Sequence, residues 1–165
     1  MESWHDFCIA QVGASAALVG LLFVALSLNV RQILKHDWLT ARGGQTLVVL
    51  TGALLEASLP LLPGSSSRAV AYVSLTVSLL TWGCSIALVV SFIRGLRAQQ
   101  QVSVPRSWTV GYAVSAQVAT LPAIIGSVLL TRGSPVGQYW IAAGLLLTLV
   151  FALYNAWVLL VEILR

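Results

Sequence analysis

The sequence predicts an all-α fold, a polytopic bundle of five transmembrane helices, because five long segments are almost free of charged residues. A helix needs about 20 apolar residues to cross the hydrocarbon core of a bilayer. Hydrophobic residues make up 58% of the chain and charged residues only 8%, so little material is left outside these segments. We therefore interpret residues 1–165 as a single transmembrane helical domain with no soluble domain. The spans are predicted at about 7–30, 45–62, 69–93, 109–130 and 138–164.

The basic residues are divided unevenly between the two sets of connections, and this division predicts the orientation. Only Arg68 and Arg132 follow the second and fourth spans. The other Lys and Arg residues lie on the opposite side: Arg31, Lys35, Arg42, Arg94, Arg97, Arg106 and Arg165. Because short cytoplasmic loops are enriched in Lys and Arg, we expect the N-terminus outside and the C-terminus in the cytoplasm. These loops are expected to attract anionic lipid, and the net charge of +4 requires no nucleic acid.

The second span contains an acidic residue and a proline, Glu56 and Pro60. A re-entrant segment is the alternative here, but it would put both ends on one side, in conflict with the flanking basic loops, so we expect five full spans. Glu56 would then lie about 9 Å inside the hydrocarbon, where an ionisable group costs a few kcal/mol unless it is paired, protonated or hydrated. Gln11 matches its depth, and Arg68 or Arg132 could also reach the carboxylate. Three roles of Glu56 stay open: it fixes helix packing, it forms a cation or proton site, or it is exposed to solvent.

The long spans carry polar residues along one face. These residues are Ser74, Ser78, Thr81 and Ser85 in the third span, Gln117 and Thr120 in the fourth, and Thr148, Asn155 and Glu162 in the fifth. Such residues either form interhelical hydrogen bonds or line a water-filled path. The possible ion, proton or packing site combines Glu56, Gln11, Ser15, Ser74, Ser78 and Gln117. Asn29 and Asn155 are predicted to form a second polar pair near the inner surface.

Span 1 carries a row of small residues. The spacing between successive members of the row alternates between four and three residues, which places them on one face: Gly13, Ala17, Gly20, Val24 and Ser27. Small residues on one face let another backbone approach closely in a membrane. The opposite face carries Gln11, Ser15 and Asn29. We therefore interpret Gly13, Ala17, Gly20 and Ser27 as a helix-packing seam and expect span 1 to be central, with contacts on two sides.

The first quarter of the chain resembles the start of a set of small uncharacterised bacterial multi-pass membrane proteins. The likeness is carried by Trp4-His5-Asp6-Phe7, by the run 11–29 with its small-residue row, and by Leu39 and Arg42. Some members are labelled as modulators of a membrane-anchored AAA+ protease, but the modulators of known activity have seven spans, a pattern that this chain lacks. The resemblance implies a location in the bacterial cytoplasmic membrane and supplies no catalytic or ligand-binding residue.

The sequence offers few residues for catalysis or metal binding. Its two histidines, His5 and His36, lie on opposite sides of the membrane, and its two cysteines lack the spacing of metal ligands. We expect no enzyme activity, no cofactor and no metal. The leading hypothesis is a non-enzymatic integral membrane protein that acts through helix–helix association, as a homo-oligomer or an accessory subunit of a membrane complex. The alternative is an oligomeric ion channel or a proton or cation pathway that uses Glu56.

Overall fold

The computed structural model describes residues 2–35, 37–64, 66–98 and 106–163, and the described residues form helices joined by turns. The helices are α1 (Glu2–Leu28), the short α2 (Val30–Ile33), α3 (Asp37–Ser58), α4 (Ser67–Ala98), α5 (Arg106–Thr131) and α6 (Val136–Ile163), with a 3₁₀ turn at Leu59–Leu61 after α3. The predicted all-helical class is confirmed. Arg165 and the side chain of Glu162 lie outside the described part of the chain.

Five of the described helices are long and apolar enough to cross a membrane: Ser3–Leu28, Trp38–Leu61, Ser67–Arg97, Ser107–Thr131 and Val136–Leu159. Each contains most of one predicted span. The largest difference lies in the second span, which begins seven residues before the predicted boundary at 45. As a result α3 is one continuous helix of 22 residues, about 33 Å long at 1.5 Å per residue.

Four helices form a ring, and α1 lies outside it. Contacts run from α3 to α4, from α4 to α5, from α5 to α6 and from α6 back to α3. Helix α1 packs mainly on α3 and touches α6 over a small area. The expectation that span 1 is central is therefore wrong, because α3 contacts three long helices and α1 covers only the outer side of α3.

The closest helix pair is α5 with α6, where glycines bring the two backbones together. A Cβ atom on Gly126 would lie 2.6 Å from the carbonyl oxygen of Gly137, and one on Gly144 would lie 2.9 Å from the backbone nitrogen of Ala123. The turn between these helices uses Gly133 at a φ of 79°, a left-handed conformation that favours glycine. This hairpin is held by direct backbone contact.

The end of α3 is set by local chemistry. Pro60 lacks a backbone N–H and cannot continue a regular helix, so the chain tightens into the 3₁₀ turn there. Gly64 follows at a φ of 70° and reverses the direction of the chain. Glu56 is thereby fixed in the last turn of α3, facing α4 across the ring.

Candidate functional site

A row of buried polar side chains follows the space between the four helices of the ring. Helix α3 contributes Arg42, Gln45 and Glu56, α4 contributes Ser74, Ser78 and Ser85, α5 contributes Tyr112, Thr120 and Ser127, and α6 contributes Thr148 and Asn155. All are buried. We call this set the polar column. It has an acidic end at Glu56 and a basic end at Arg42.

The acidic end is a cluster of one carboxylate and three serines. Ser74 Oγ donates to Glu56 Oε2 at 2.8 Å, and Ser78 Oγ donates to Glu56 Oε1 at 2.5 Å. Ser127 Oγ lies 2.7 Å from Ser74 Oγ and 3.2 Å from Ser78 Oγ. Helix α4 supplies two serines because they are four residues apart and share one face. The Glu56 side chain is only 5% exposed, and its carboxylate accepts hydrogen bonds from two hydroxyls of α4, which Ser127 of α5 contacts in turn.

This cluster has more hydrogen-bond contacts than hydroxyl hydrogens. Besides the four contacts among Glu56 and the serines, Ser127 Oγ donates to the carbonyl oxygen of Ala123 at 2.8 Å. Each serine hydroxyl carries one hydrogen. The four oxygen-bearing groups form a closed ring from Glu56 Oε1 through Ser78, Ser127 and Ser74 to Glu56 Oε2. The bonds donated by Ser74, Ser78 and Ser127 use all three hydroxyl hydrogens, so a proton on the carboxyl group would allow one serine to accept from Glu56 and donate to Ser127 instead.

The Glu56 carboxylate lies between two cavities. On the side of Pro60 a cavity of about 320 Å³ is lined by Trp4, Pro60, Ser74 and Gln138, together with Glu56. On the side towards Arg42 a void of about 20 Å³ is bordered by Glu56 and by three threonines, Thr81, Thr120 and Thr148, but most of its lining is apolar. A void of this size has room for one water molecule. The carboxylate therefore separates a larger cavity from a small void in the ring.

The middle of the column is held by Gln45. Its Nε2 donates to Ser85 Oγ at 3.1 Å, and its Oε1 accepts a hydrogen bond from the Tyr112 hydroxyl. One amide thus ties α3 to both α4 and α5. Thr148 Oγ1 donates to the carbonyl oxygen of Ala119 at 3.1 Å and ties α6 to α5 nearer the acidic end.

The basic end of the column joins α3 to α6. Arg42 donates through Nε and Nη2 to Asn155 Oδ1 at 3.1 and 3.0 Å. Its guanidinium carbon lies 5.0 Å from the ring centroid of Tyr112, within the range of a cation–π contact. Phe92 and Phe151 pack on either side of Tyr112. The cation is therefore held in an aromatic environment inside the ring.

Two predicted pairings differ from the structure. Glu56 bonds serines of α4, whereas Gln11 Nε2 and Ser15 Oγ are buried and have no hydrogen-bond partner among the described residues. Asn29 Nδ2 bonds the carbonyl oxygen of Ala25 in its own helix at 2.9 Å, so the predicted pair with Asn155 does not form.

Gln117 is also placed apart from the predicted site, because its Oε1 accepts from Trp82 Nε1 at 2.7 Å on the α4–α5 contact. Ser74 and Ser78 are therefore the predicted residues that join Glu56 in its hydrogen-bond cluster.

The predicted seam of α1 faces away from the rest of the chain. Gly13, Ala17, Gly20 and Ser27 are all exposed, and a Cβ atom on either glycine would meet nothing within 4 Å. At about 100° per residue, this row lies about 180° from the buried face that carries Cys8, Gln11, Ser15 and Leu22. Ser27 Oγ bonds the carbonyl oxygen of Phe23 in the same helix at 2.8 Å. No described helix of this chain covers the seam.

The sequence did not single out four residues of the polar column: Arg42, Gln45, Tyr112 and Ser127. Arg42 counted only as a loop charge, because the second span was predicted to begin at 45. A signal for it exists. Arg42, Gln45, Gly52 and Glu56 follow helical spacing on one face of α3 once the helix is extended to 37.

The class of protein follows from these observations. Five apolar helices, with polar side chains turned inward and apolar ones outward, mark a multi-pass membrane protein. Within the described ranges, no three His, Cys, Asp or Glu side chains come close enough to hold a metal ion. Comparison of the chain with protein-family models, curated proteins and solved structures finds no match.

Proposed function

We propose that this protein is a non-enzymatic integral membrane protein that acts through helix–helix association, with a second copy of itself as partner. The observation that carries this proposal is the exposed seam of Gly13, Ala17, Gly20 and Ser27 on α1. Gly126, Gly137 and Gly144 of the α5–α6 hairpin are explained by contacts within the chain, whereas Gly13 and Gly20 have no neighbour that requires them. Because close packing drives association in lipid, an uncovered row of small residues favours a contact between chains.

The spacing of the seam also supports a geometry for the dimer. Gly13, Gly20 and Ser27 are seven residues apart, as are Ala17 and Val24. A seven-residue repeat favours a left-handed crossing of two helices at about 20°. Two copies with the same orientation in one membrane would cross as parallel α1 helices about a twofold axis.

Self-association is tested by fluorescence energy transfer between labelled copies in liposomes, across a series of lipid-to-protein ratios. Gly20→Leu inserts a large side chain into the seam, and we expect it to weaken the dimer at least about tenfold, or about 1.4 kcal/mol. Gly83→Leu is the matched control, because Gly83 is also an exposed helical glycine with nothing within 4 Å of its Cβ position. A wild-type protein that stays monomeric at every ratio, or equal weakening by both substitutions, would contradict the proposal.

Disulfide cross-linking distinguishes the seam from the sides of α1. In a background without Cys8 and Cys84, cysteine at Gly20 should cross-link two copies, whereas cysteine at Leu21, about 100° away around the helix, should not. If Gly20→Cys instead cross-links a different membrane protein in cells, the partner is heterologous and the chain is an accessory subunit.

The acidic end of the polar column favours a second candidate function, a proton or cation pathway. The specific observation is the Glu56 cluster, in which a buried carboxylate lies between the 320 Å³ cavity and the threonine-lined void. Ionisable groups inside membrane spans commonly belong to proton or ion pathways. Ser74 and Ser78 donate to the two carboxylate oxygens, and Ser74 also lines the 320 Å³ cavity, so hydroxyl groups lie beside Glu56 on the side of that cavity.

Ion flux into liposomes tests this second function. Purified wild-type protein and Glu56→Gln are compared at matched incorporation, with a pH-sensitive dye for protons and a potassium gradient for cations. Glutamine keeps the size and a hydrogen-bonding oxygen but cannot exchange a proton. Flux that depends on the protein and falls with Glu56→Gln supports the pathway. The absence of flux from folded wild-type protein, over a range of voltages and pH values, refutes it.

A further inference from the structure

Two adjoining cavities extend from the surface of the bundle to the Glu56 carboxylate. The 320 Å³ cavity beside Glu56 adjoins a larger one of about 760 Å³, and both are lined by Trp4, Pro60 and Gln138. The other residues that line the larger cavity are all exposed: Ser3, His5, Asp6 and Tyr139. The larger cavity therefore lies at the surface, and the smaller one lies between it and Glu56.

The wall of the smaller cavity is mainly apolar. Much of it is formed by aliphatic side chains of α4, α5 and α6: Val70, Leu130, Ile141 and Leu145. Glu56 is the one charged side chain among the described residues that line it. Small-molecule sites typically have volumes of about 300–1,000 Å³, apolar walls and a few polar groups. The smaller cavity has these properties, with an acid as its charged group.

Glu56 has no cationic partner in the described part of the chain. Its two oxygens accept hydrogen bonds from Ser74 and Ser78, and no described Lys, Arg or His side chain forms an ion pair with it. A buried carboxyl group without a counter-charge either holds a proton or pairs with a cation from outside the chain. The smaller cavity is the place where such a cation can meet the carboxylate.

The two arginines at this end of the bundle, Arg68 and Arg132, lie outside both cavities. Both are exposed, and neither lines either cavity. Helix α4 borders the smaller cavity with Ser67, Val70 and Ser74. Arg68 lies about 100–160° around the helix from these three positions. Its charge is therefore directed away from the side of α4 that lines the cavity.

Acidic and aromatic side chains line the way from the surface to the carboxylate. Asp6 lines the larger cavity and Glu56 the smaller one, whereas His5 adds a positive charge only when it is protonated. Trp4 lines both cavities, and its ring centroid lies 6.4 Å from that of Tyr139. The faces of aromatic rings attract cations, and tryptophan attracts them most strongly. This combination favours a positively charged ligand.

We propose that the smaller cavity binds a small amphipathic ammonium ion, which pairs with Glu56 and places its apolar part against Trp4 and Ile141. This inference rests on the proposed proton or cation pathway and names the class of cation. An inorganic ion fits less well, because it would give up water to an apolar wall. An ammonium ion that binds at the protonated carboxyl group replaces its proton, so the net charge inside the bundle does not change.

Isothermal titration calorimetry of the full-length protein in a non-ionic detergent tests the proposal. The probe is benzyltrimethylammonium, in a phosphate buffer that contains no amine. Glu56→Gln keeps a side chain that can bond both serines but carries no charge, and we expect it to weaken binding at least about tenfold.

Trp4→Leu is an independent variant that leaves the carboxylate in place. It should weaken binding about fivefold, as expected for the loss of one cation–π contact. Trp140→Leu is the matched control, because Trp140 is a partly exposed tryptophan near the start of α6 that lines neither cavity. It should bind the probe as the wild type does.

The outcomes separate this site from the pathway. A wild type that binds no probe, an unchanged affinity in Glu56→Gln, or equal losses in Trp4→Leu and Trp140→Leu would overturn the proposal. Displacement of the probe by equimolar potassium would overturn it in favour of an inorganic cation. Probe binding by a protein that shows no ion flux would refute the pathway and keep the site, whereas proton flux without probe binding would refute the site and keep the pathway.

Discussion

Glycine has opposite roles in α1 and in the α5–α6 hairpin. In the hairpin, Gly126, Gly137 and Gly144 lie where two backbones touch, and each would clash if it carried a side chain. In α1, Gly13 and Gly20 face outward with open space around them. The same residue type at similar helical spacing thus stabilises the fold in one place and leaves a free surface in the other. In a membrane protein, a row of small residues indicates close packing but not whether the partner belongs to the same chain.

The largest effect that separates the two regions is expected from Gly137→Leu. Its Cβ atom would lie 2.5 Å from the carbonyl oxygen of Gly126 and 2.9 Å from the backbone nitrogen of Leu130, and neither backbone atom can move without displacing a helix. We expect a loss of about 3 kcal/mol or more in the free energy of unfolding, at the upper end for overpacked sites. Reversible unfolding in mixed micelles measures it.

Gly20→Leu is the matched change on α1 and should alter the unfolding free energy by less than about 0.5 kcal/mol under monomeric conditions. If Gly20→Leu destabilises the monomer as much as Gly137→Leu does, the contrast between the two regions is lost.

A smaller contrast is expected within α1 itself. Leu22 is 6% exposed and packs against α3, whereas its neighbour Leu21 is 69% exposed. Leu22→Ala should lower the free energy of unfolding by about 2–3 kcal/mol, because contacts are lost and a cavity is left behind. Leu21→Ala should leave the free energy of unfolding in detergent nearly unchanged. Thermal unfolding of both variants checks the rotation of α1 on the bundle, and equal losses would mean that this rotation is wrong.

The smallest effect is expected at the α4–α5 contact, where the Trp82 indole N–H donates to the Gln117 side chain. Gln117→Leu removes the acceptor of the indole N–H, and we expect a cost of about 0.6 kcal/mol, the average for such bonds in membranes. Thr76→Val is a suitable control, because the Thr76 hydroxyl bonds only its own helix at the exposed face of α4. A cost above about 2 kcal/mol would place this bond among the main supports of the bundle.

The number of spans and the inward row of α4 could be predicted from sequence, because both depend on spacing along a single helix. An apolar run has the length of a bilayer whatever its neighbours are, and Ser74, Ser78 and Ser85 share a face in any helix. The partner of Glu56 could not be predicted in this way. Gln11 matches it in depth, but depth does not tell which helices are adjacent, and serines of α4 are closer.

The Arg42 site could not be predicted for a different reason. Charged residues usually lie in the loops between spans. An arginine near a predicted span boundary is therefore interpreted as a loop residue that reports the orientation. Its partner Asn155 lies on α6, more than a hundred residues further along the chain. Arg42 is an interior residue only because α6 packs against α3. The spacing of residues along one helix does not show that contact.

The order of the ring has a consequence for biosynthesis. Each long helix packs on the one made before it, from α1 and α3 through α4 and α5 to α6. The bundle can therefore grow by adding one helix at a time to those already inserted, and the main contact that must wait is between α6 and α3. Arg42 and Asn155 make that contact. Until the last span has left the ribosome, Arg42 lacks its amide acceptor, so the bond between them marks the completion of assembly.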